Sequence, residues 1–64
     1  MPLIEVSVVE GRSQAQLRDL ISKLTAATVQ ALDAPQQSVR VVVREVPTTH
    51  WAAGDVTIAE RKKN

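Results

Sequence analysis

Apolar and polar positions along the chain change period twice, and each change marks an element. Residues 3–9, LIEVSVV, are rich in β-branched types, with Ile4, Val6 and Val8 alternating against Leu3, Glu5, Ser7 and Val9. A period of two with a continuous apolar face predicts a β-strand. Gly11, in the EGR that follows, breaks it. The period then lengthens. Leu17, Leu20, Ile21, Leu24, Thr28, Ala31 and Leu32 follow one another at helical spacing and form one stripe. Ser13 suits an N-cap and Gln16, three residues on, completes a capping box. Pro35 disfavours helical geometry at Ala34. The spacing therefore predicts a helix over 14–32, roughly 28 Å long at 1.5 Å per residue.

A second strand is expected in SVRVVVREV, residues 38–46. Val39, Val41 and Val43 share one face, and Arg40, Val42, Arg44 and Val46 the other. Pro47 ends it. The segment PTTHWAAGD reads as turn-rich around Gly54, VTIA as a short strand of a terminal hairpin, and ERKKN as a mobile charged tail.

Strand, helix and strand in this order form a βαβ unit, with parallel strands and a right-handed crossover. The expected class is α/β: one βαβ domain over residues 1–64 with a short C-terminal hairpin. One helix covers one face of a two-stranded sheet, which leaves the other face bare and both edges open. Such a sheet is not stable alone. Two units pairing edge to edge into a four-stranded sheet per dimer would close an edge, and larger symmetric assembly would cover the remaining face.

Composition strengthens that expectation. The chain has 64 residues, no cysteine and a single aromatic residue, Trp51. Disulfides cannot staple it, and a metal site would lack its softest ligand, so oligomerisation is the remaining common remedy for a small chain. Eight basic and seven acidic residues give a net charge of +1. That balance argues against nucleic acid or a membrane surface as partner. The first apolar run is short and has no basic leader, so a cytoplasmic location is expected.

No phosphate-binding glycine loop and no recognisable Ser-His-Asp spacing is present. The groups left for chemistry are Pro2, Arg12, Arg40, Arg44, His50 and Trp51. A proline at the head of a strand is ordinarily a strand starter. After removal of Met1, however, its nitrogen is a secondary amine able to carry protons.

MP at the start, EGRS at 10–13, LDAP at 32–35, SVRVVV at 38–43 and HW at 50–51 occur in an order and spacing that resembles the 4-oxalocrotonate tautomerase family. The resemblance spans nearly the whole chain. It implies a βαβ protomer assembled as a homohexamer, a trimer of dimers. It also implies enol–keto tautomerisation of an unsaturated 2-keto or 2-hydroxy dicarboxylic acid of the 2-hydroxymuconate kind, as in aromatic hydrocarbon catabolism, without cofactor or metal. By the same resemblance Pro2 is the general base and then the general acid. Arg12 binds one carboxylate of the small-molecule substrate. Arg40 engages the other carboxylate and the oxygen where charge develops, and Trp51 forms an apolar wall. These groups come from more than one subunit.

The physical chemistry fits those roles. Desolvation and nearby cations lower an amine's pKa toward neutrality, where a base works best. Guanidinium forks suit carboxylates. Arg44 is expected in an ion pair at an interface and His50 in a turn. The family's glycine-rich turn is replaced here by AAGD, Ala52 to Asp55, which puts a carboxylate near the apolar wall. Two other readings share the chain: a hydratase or dehalogenase of a haloacrylate-type acid, with Glu10 or Asp55 positioning water, and a non-catalytic oligomeric module.

Overall fold

The computed structural model describes residues 1–61. Lys62, Lys63 and Asn64, the end of the tail expected to be mobile, lie outside the described residues. The element order is β1 (Leu3–Val9), α1 (Gln14–Leu32), a 3-10 turn (Gln36–Ser38), β2 (Arg40–Val46), a second 3-10 turn (Thr48–His50), β3 (Ala52–Ala53), β4 (Val56–Thr57) and α2 (Ile58–Arg61). The chain is an α/β fold: a βαβ unit with a short C-terminal hairpin.

Both ends of α1 are set by local chemistry. The Ser13 hydroxyl accepts from the Gln16 N–H at 3.1 Å, and the Gln16 side chain accepts from the Ser13 N–H at 3.0 Å. This reciprocal pair satisfies two of the donors that a helix start leaves unpaired. At the other end Asp33 takes the left-handed conformation, φ 53° and ψ 41°, and Pro35 follows. Strand β2 starts at Arg40, two residues later than the sequence suggested. Ser38 is drawn back into a turn by its N–H and its hydroxyl, both of which donate to the Pro35 carbonyl, at 3.0 and 2.8 Å.

Strands β1 and β2 are parallel, with Ile4 opposite Val41, Val6 opposite Val43 and Ser7 opposite Arg44. Ile4, Val6, Val8, Val41 and Val43 are half-buried, and so is the α1 stripe from Leu17 to Thr28. The opposite face carries Leu3, Glu5, Ser7, Arg40, Val42 and Arg44, all exposed. The helix lies closer to β2 than to β1.

Residues 47–61 pack mainly on themselves. Gly54 and Asp55, at φ 58° and 65°, make the two-residue turn between Ala53 and Val56. Left-handed geometry at both central positions gives the twist that a tight hairpin needs. Ile58 does not extend β4 as VTIA suggested. Thr57 and Glu60 form a second capping box and start α2 there: the Glu60 N–H donates to the Thr57 hydroxyl at 3.1 Å, and the Thr57 N–H donates to Glu60 Oε1 at 2.8 Å. The Arg61 guanidinium closes the unit on the Ala53 carbonyl at 3.0 Å.

The chain measures 48 × 25 × 13 Å with a radius of gyration of 15.1 Å. A compact chain of this length has a radius near 11 Å. Its accessible surface is 4933 Å², against roughly 4,000 Å² for a compact monomer of this mass. Among the described residues no side chain is fully buried, and Leu3 and Leu32 are 58% and 63% exposed.

Candidate active site

Pro2 heads β1 and is half-buried. Beside it a shallow apolar groove of about 410 Å³ runs between the start of β1 and the last turns of α1, lined by Ile4, Leu24, Ala27, Thr28 and Leu32 among others. The groove exists because α1 leans toward β2 and leaves this flank of β1 uncovered. Next to Pro2 across the sheet is Arg40, whose N–H donates to the Pro2 carbonyl at 3.0 Å. Their side chains diverge. Arg40 is opposite Leu3 on the bare face, and its Nη1 donates to the Gln37 carbonyl at 2.8 Å.

Arg12 and Trp51 lie at the opposite end of the sheet. Parallel strands share a direction, so the loop after β1, with Arg12, and the segment after β2, with Trp51, leave from the same side. The Glu10 N–H, donating to the Val46 carbonyl at 2.9 Å, ties these two exits together. Between the ends run seven residues of strand, roughly 23 Å at 3.3 Å per residue. Arg12 is exposed and Trp51 half-buried. One chain therefore divides the four candidate residues into two pairs, Pro2 with Arg40 and Arg12 with Trp51.

The comparisons with known proteins bear on this arrangement. A family model described as "Tautomerase enzyme" matches residues 2–61. The chain belongs to the tautomerase family. The family match begins at Pro2. Among relatives, a probable tautomerase of Ralstonia nicotianae is 44% identical over 98% of this chain and 90% of its own length. A 2-hydroxymuconate tautomerase of Pseudomonas putida is 38% identical over 94% of this chain and 95% of its own. Among solved structures, a heterohexamer 4-oxalocrotonate tautomerase from Chloroflexus aurantiacus superposes with a TM-score of 0.90 at 42% identity, covering 94% of this chain and 97% of the other. A 4-oxalocrotonate tautomerase homologue from the tomaymycin biosynthetic pathway gives 0.93 at 43% identity, covering 95% and 94%. The protein is an isomerase.

Other polar groups of this tautomerase take local roles. Arg44 does not wait for an interface partner: its Nη1 reaches Glu5 Oε2 at 3.0 Å in the same chain. His50 is exposed in the 3-10 turn that ends the β2 exit. Asp55 is exposed at the hairpin tip, in the turn beyond the Ala53–Val56 pair. The Thr57–Glu60 box was readable in the sequence as T-x-x-E, the signature already used at Ser13. Hydrogen bonds from the Thr57 backbone, then its side chain, hold the Glu60 carboxyl below its ordinary pKa. That box fixes the segment carrying Trp51, whose carbonyl accepts from the Ile58 N–H at 2.9 Å.

Proposed function

We propose that this tautomerase moves a proton between carbons of an unsaturated 2-hydroxy or 2-keto dicarboxylic acid of the 2-hydroxymuconate type. Pro2 is the base and then the acid, once Met1 has been removed. Met1 is 87% exposed, so its peptide bond is open to an aminopeptidase. Removal turns an amide nitrogen into a secondary amine at the mouth of an apolar groove, where desolvation and nearby guanidinium groups lower its pKa. Arg12 binds a ground-state carboxylate, Arg40 meets the developing enolate charge, and Trp51 excludes water.

The observation that carries this reading is the division of these residues between the two ends of one sheet. Antiparallel pairing of two copies along the free edge of β1 resolves it. Centred on Val6, that pairing sets Pro2 opposite Glu10 of the second copy, and the Arg12/Trp51 end of each chain against the Pro2/Arg40 end of the other. Helix α1 leans away from this edge, so two helices fit side by side over the resulting four-stranded sheet. Three such pairs make a homohexamer. The relatives' names support the substrate class, and the Chloroflexus heterohexamer supports an assembly of this size.

The deciding experiment is ketonisation of a 2-hydroxymuconate-type dienol by protein whose N-terminus has been verified by mass. Pro2→Ala should lose activity by several orders of magnitude while the oligomer persists. Full activity in that variant, with Met1 cleaved, would exclude proline as the base.

A further inference from the structure

The elements that carry Trp51 are too short to hold their own order. Strands β3 and β4 have two residues each and α2 has four. Isolated hairpins and single helical turns are marginal in water, so the bonds between these pieces decide where Trp51 stands. Two bonds hang its segment on α2. The Ile58 N–H donates to the Trp51 carbonyl at 2.9 Å, and Arg61 Nη2 donates to the Ala53 carbonyl at 3.0 Å. Helix α2 also packs against the Thr48–His50 turn, which leads from β2 into Trp51.

We infer that Arg61 is a positioning residue, which sets the place and direction of Trp51 by tying the end of α2 back to β3. Trp51 has extended backbone, φ −122° and ψ 112°. A single bond at its carbonyl fixes one point, about which the segment can pivot. A second bond two residues further on fixes the direction as well. The hairpin alone leaves that direction free, because β3 and β4 pair with each other and with neither β1 nor β2. The Thr57–Glu60 box orders the first turn of α2. Arg61 instead reaches back eight positions along the chain. That bond refers the hairpin to α2, and through the Thr48–His50 turn to the exit of β2. Among the described residues Arg61 makes no ion pair, so what its guanidinium holds is a backbone carbonyl. A charged donor makes that bond stronger than a neutral one.

Arg61 is exposed, so its loss should loosen the Trp51 wall without unfolding the protein. The catalytic part of the inference rests on the reading of Trp51 as the wall that excludes water. The tie itself does not, and it can be measured without substrate. Trp51 is the single aromatic residue of the chain, so protein fluorescence reports on it alone.

The test compares Arg61→Ala and Arg61→Lys, each made in the parent and in a Trp51→Ala background. Arg61→Ala should shift the Trp51 emission to longer wavelength at an unchanged oligomer mass. It should also lower kcat/KM on a 2-hydroxymuconate-type dienol about tenfold. Lysine can offer one donor at similar reach, so Arg61→Lys should bring back most of both. In the Trp51→Ala background Arg61→Ala should cost less than about twofold, because its effect passes through the missing ring. An unchanged emission in Arg61→Ala would overturn the inference, and so would Arg61→Lys no better than Arg61→Ala. An undiminished loss of kcat/KM in the Trp51→Ala background would overturn it too, by assigning Arg61 to direct attraction of an anionic substrate. A parent inactive on dienols would remove the reaction proposed above, and the emission of the two variants would still decide whether Arg61 places Trp51.

Discussion

Pro2 and Arg40 are bound through their backbones and not through their side chains. The Arg40 N–H donates to the Pro2 carbonyl at 3.0 Å, whereas the Arg40 guanidinium is turned to the bare face and anchored on the Gln37 carbonyl at 2.8 Å. The bond fixes the start of β1 against β2, and so fixes where the proline nitrogen sits. It does not deliver this chain's own guanidinium to that nitrogen. In the proposed mechanism, a cation beside Pro2 therefore comes from another chain, which would make assembly part of that chemistry.

Arg12 and Arg40 should separate in kinetics. In the proposed mechanism Arg12 holds a carboxylate that is present before and during the reaction, so Arg12→Ala should raise KM about tenfold or more with a smaller change in kcat. Arg40 meets charge that grows toward the transition state, and Arg40→Ala should lower kcat by about 100-fold. Steady-state kinetics on a dienol dicarboxylate distinguishes the two. Equal losses in both variants, accompanied by dissociation, would assign the arginines to structure alone.

A shared site also predicts complementation. Assayed alone with substrate well below KM, Pro2→Ala subunits should be inactive and Arg12→Ala subunits weak. Unfolded together and refolded as a mixture, they should form hybrid dimers in which one of two sites has both native residues. Random pairing then returns about a quarter of the parental sites. Activity of the mixture no higher than the mean of its parts would contradict the antiparallel β1 arrangement.

Much of this was legible in the sequence because the signals were local. Ser13 and Gln16 marked the start of α1, and the stripe from Leu17 to Leu32 ran the length of the helix observed, Gln14–Leu32. Strand β1 matched residue for residue, since alternation and Gly11 bounded it. Where the structure departs from the sequence pattern, a short-range competitor wins. Ser38 has strand neighbours but bonds back to Pro35, and Ile58 follows a strand residue but sits inside the Thr57–Glu60 box. The pairing of Arg44 with Glu5 depended on strand register, which no spacing along the chain encodes. The division of the candidate site between two ends likewise followed from topology: parallel strands send both of their exits to one side.

Asp33 offers a stability gain. It holds a left-handed conformation, φ 53°, that costs an L-residue more than glycine, and its carboxylate sits at the negative end of the α1 dipole. Asp33→Gly should stabilise the protein by about 0.5–1 kcal/mol, seen as a higher Tm at fixed protein concentration. A lower Tm would mean that the carboxylate has a partner in the assembled protein.

Glu60 should make the C-terminal unit sensitive to acid. Its carboxylate accepts from the Thr57 N–H at 2.8 Å and from the Thr57 hydroxyl at 3.1 Å, and these bonds lower its pKa from the ordinary 4.5. A folded pKa below the unfolded one means that the unfolded segment binds the proton more readily. The stabilisation is therefore fully present above about pH 4.5 and is lost as the pH falls through the lowered folded value. Amide exchange at Ile58–Arg61 should accelerate relative to that of α1 on this acid limb, because the carboxylate that caps α2 is neutralised. Glu60→Gln keeps an acceptor oxygen but cannot titrate, so it should keep part of the cap and flatten the limb. Since α2 anchors the Trp51 carbonyl through Ile58, tryptophan fluorescence should follow the same transition in the parent and not in Glu60→Gln. Parent and variant showing identical acid profiles would trace the sensitivity to another group.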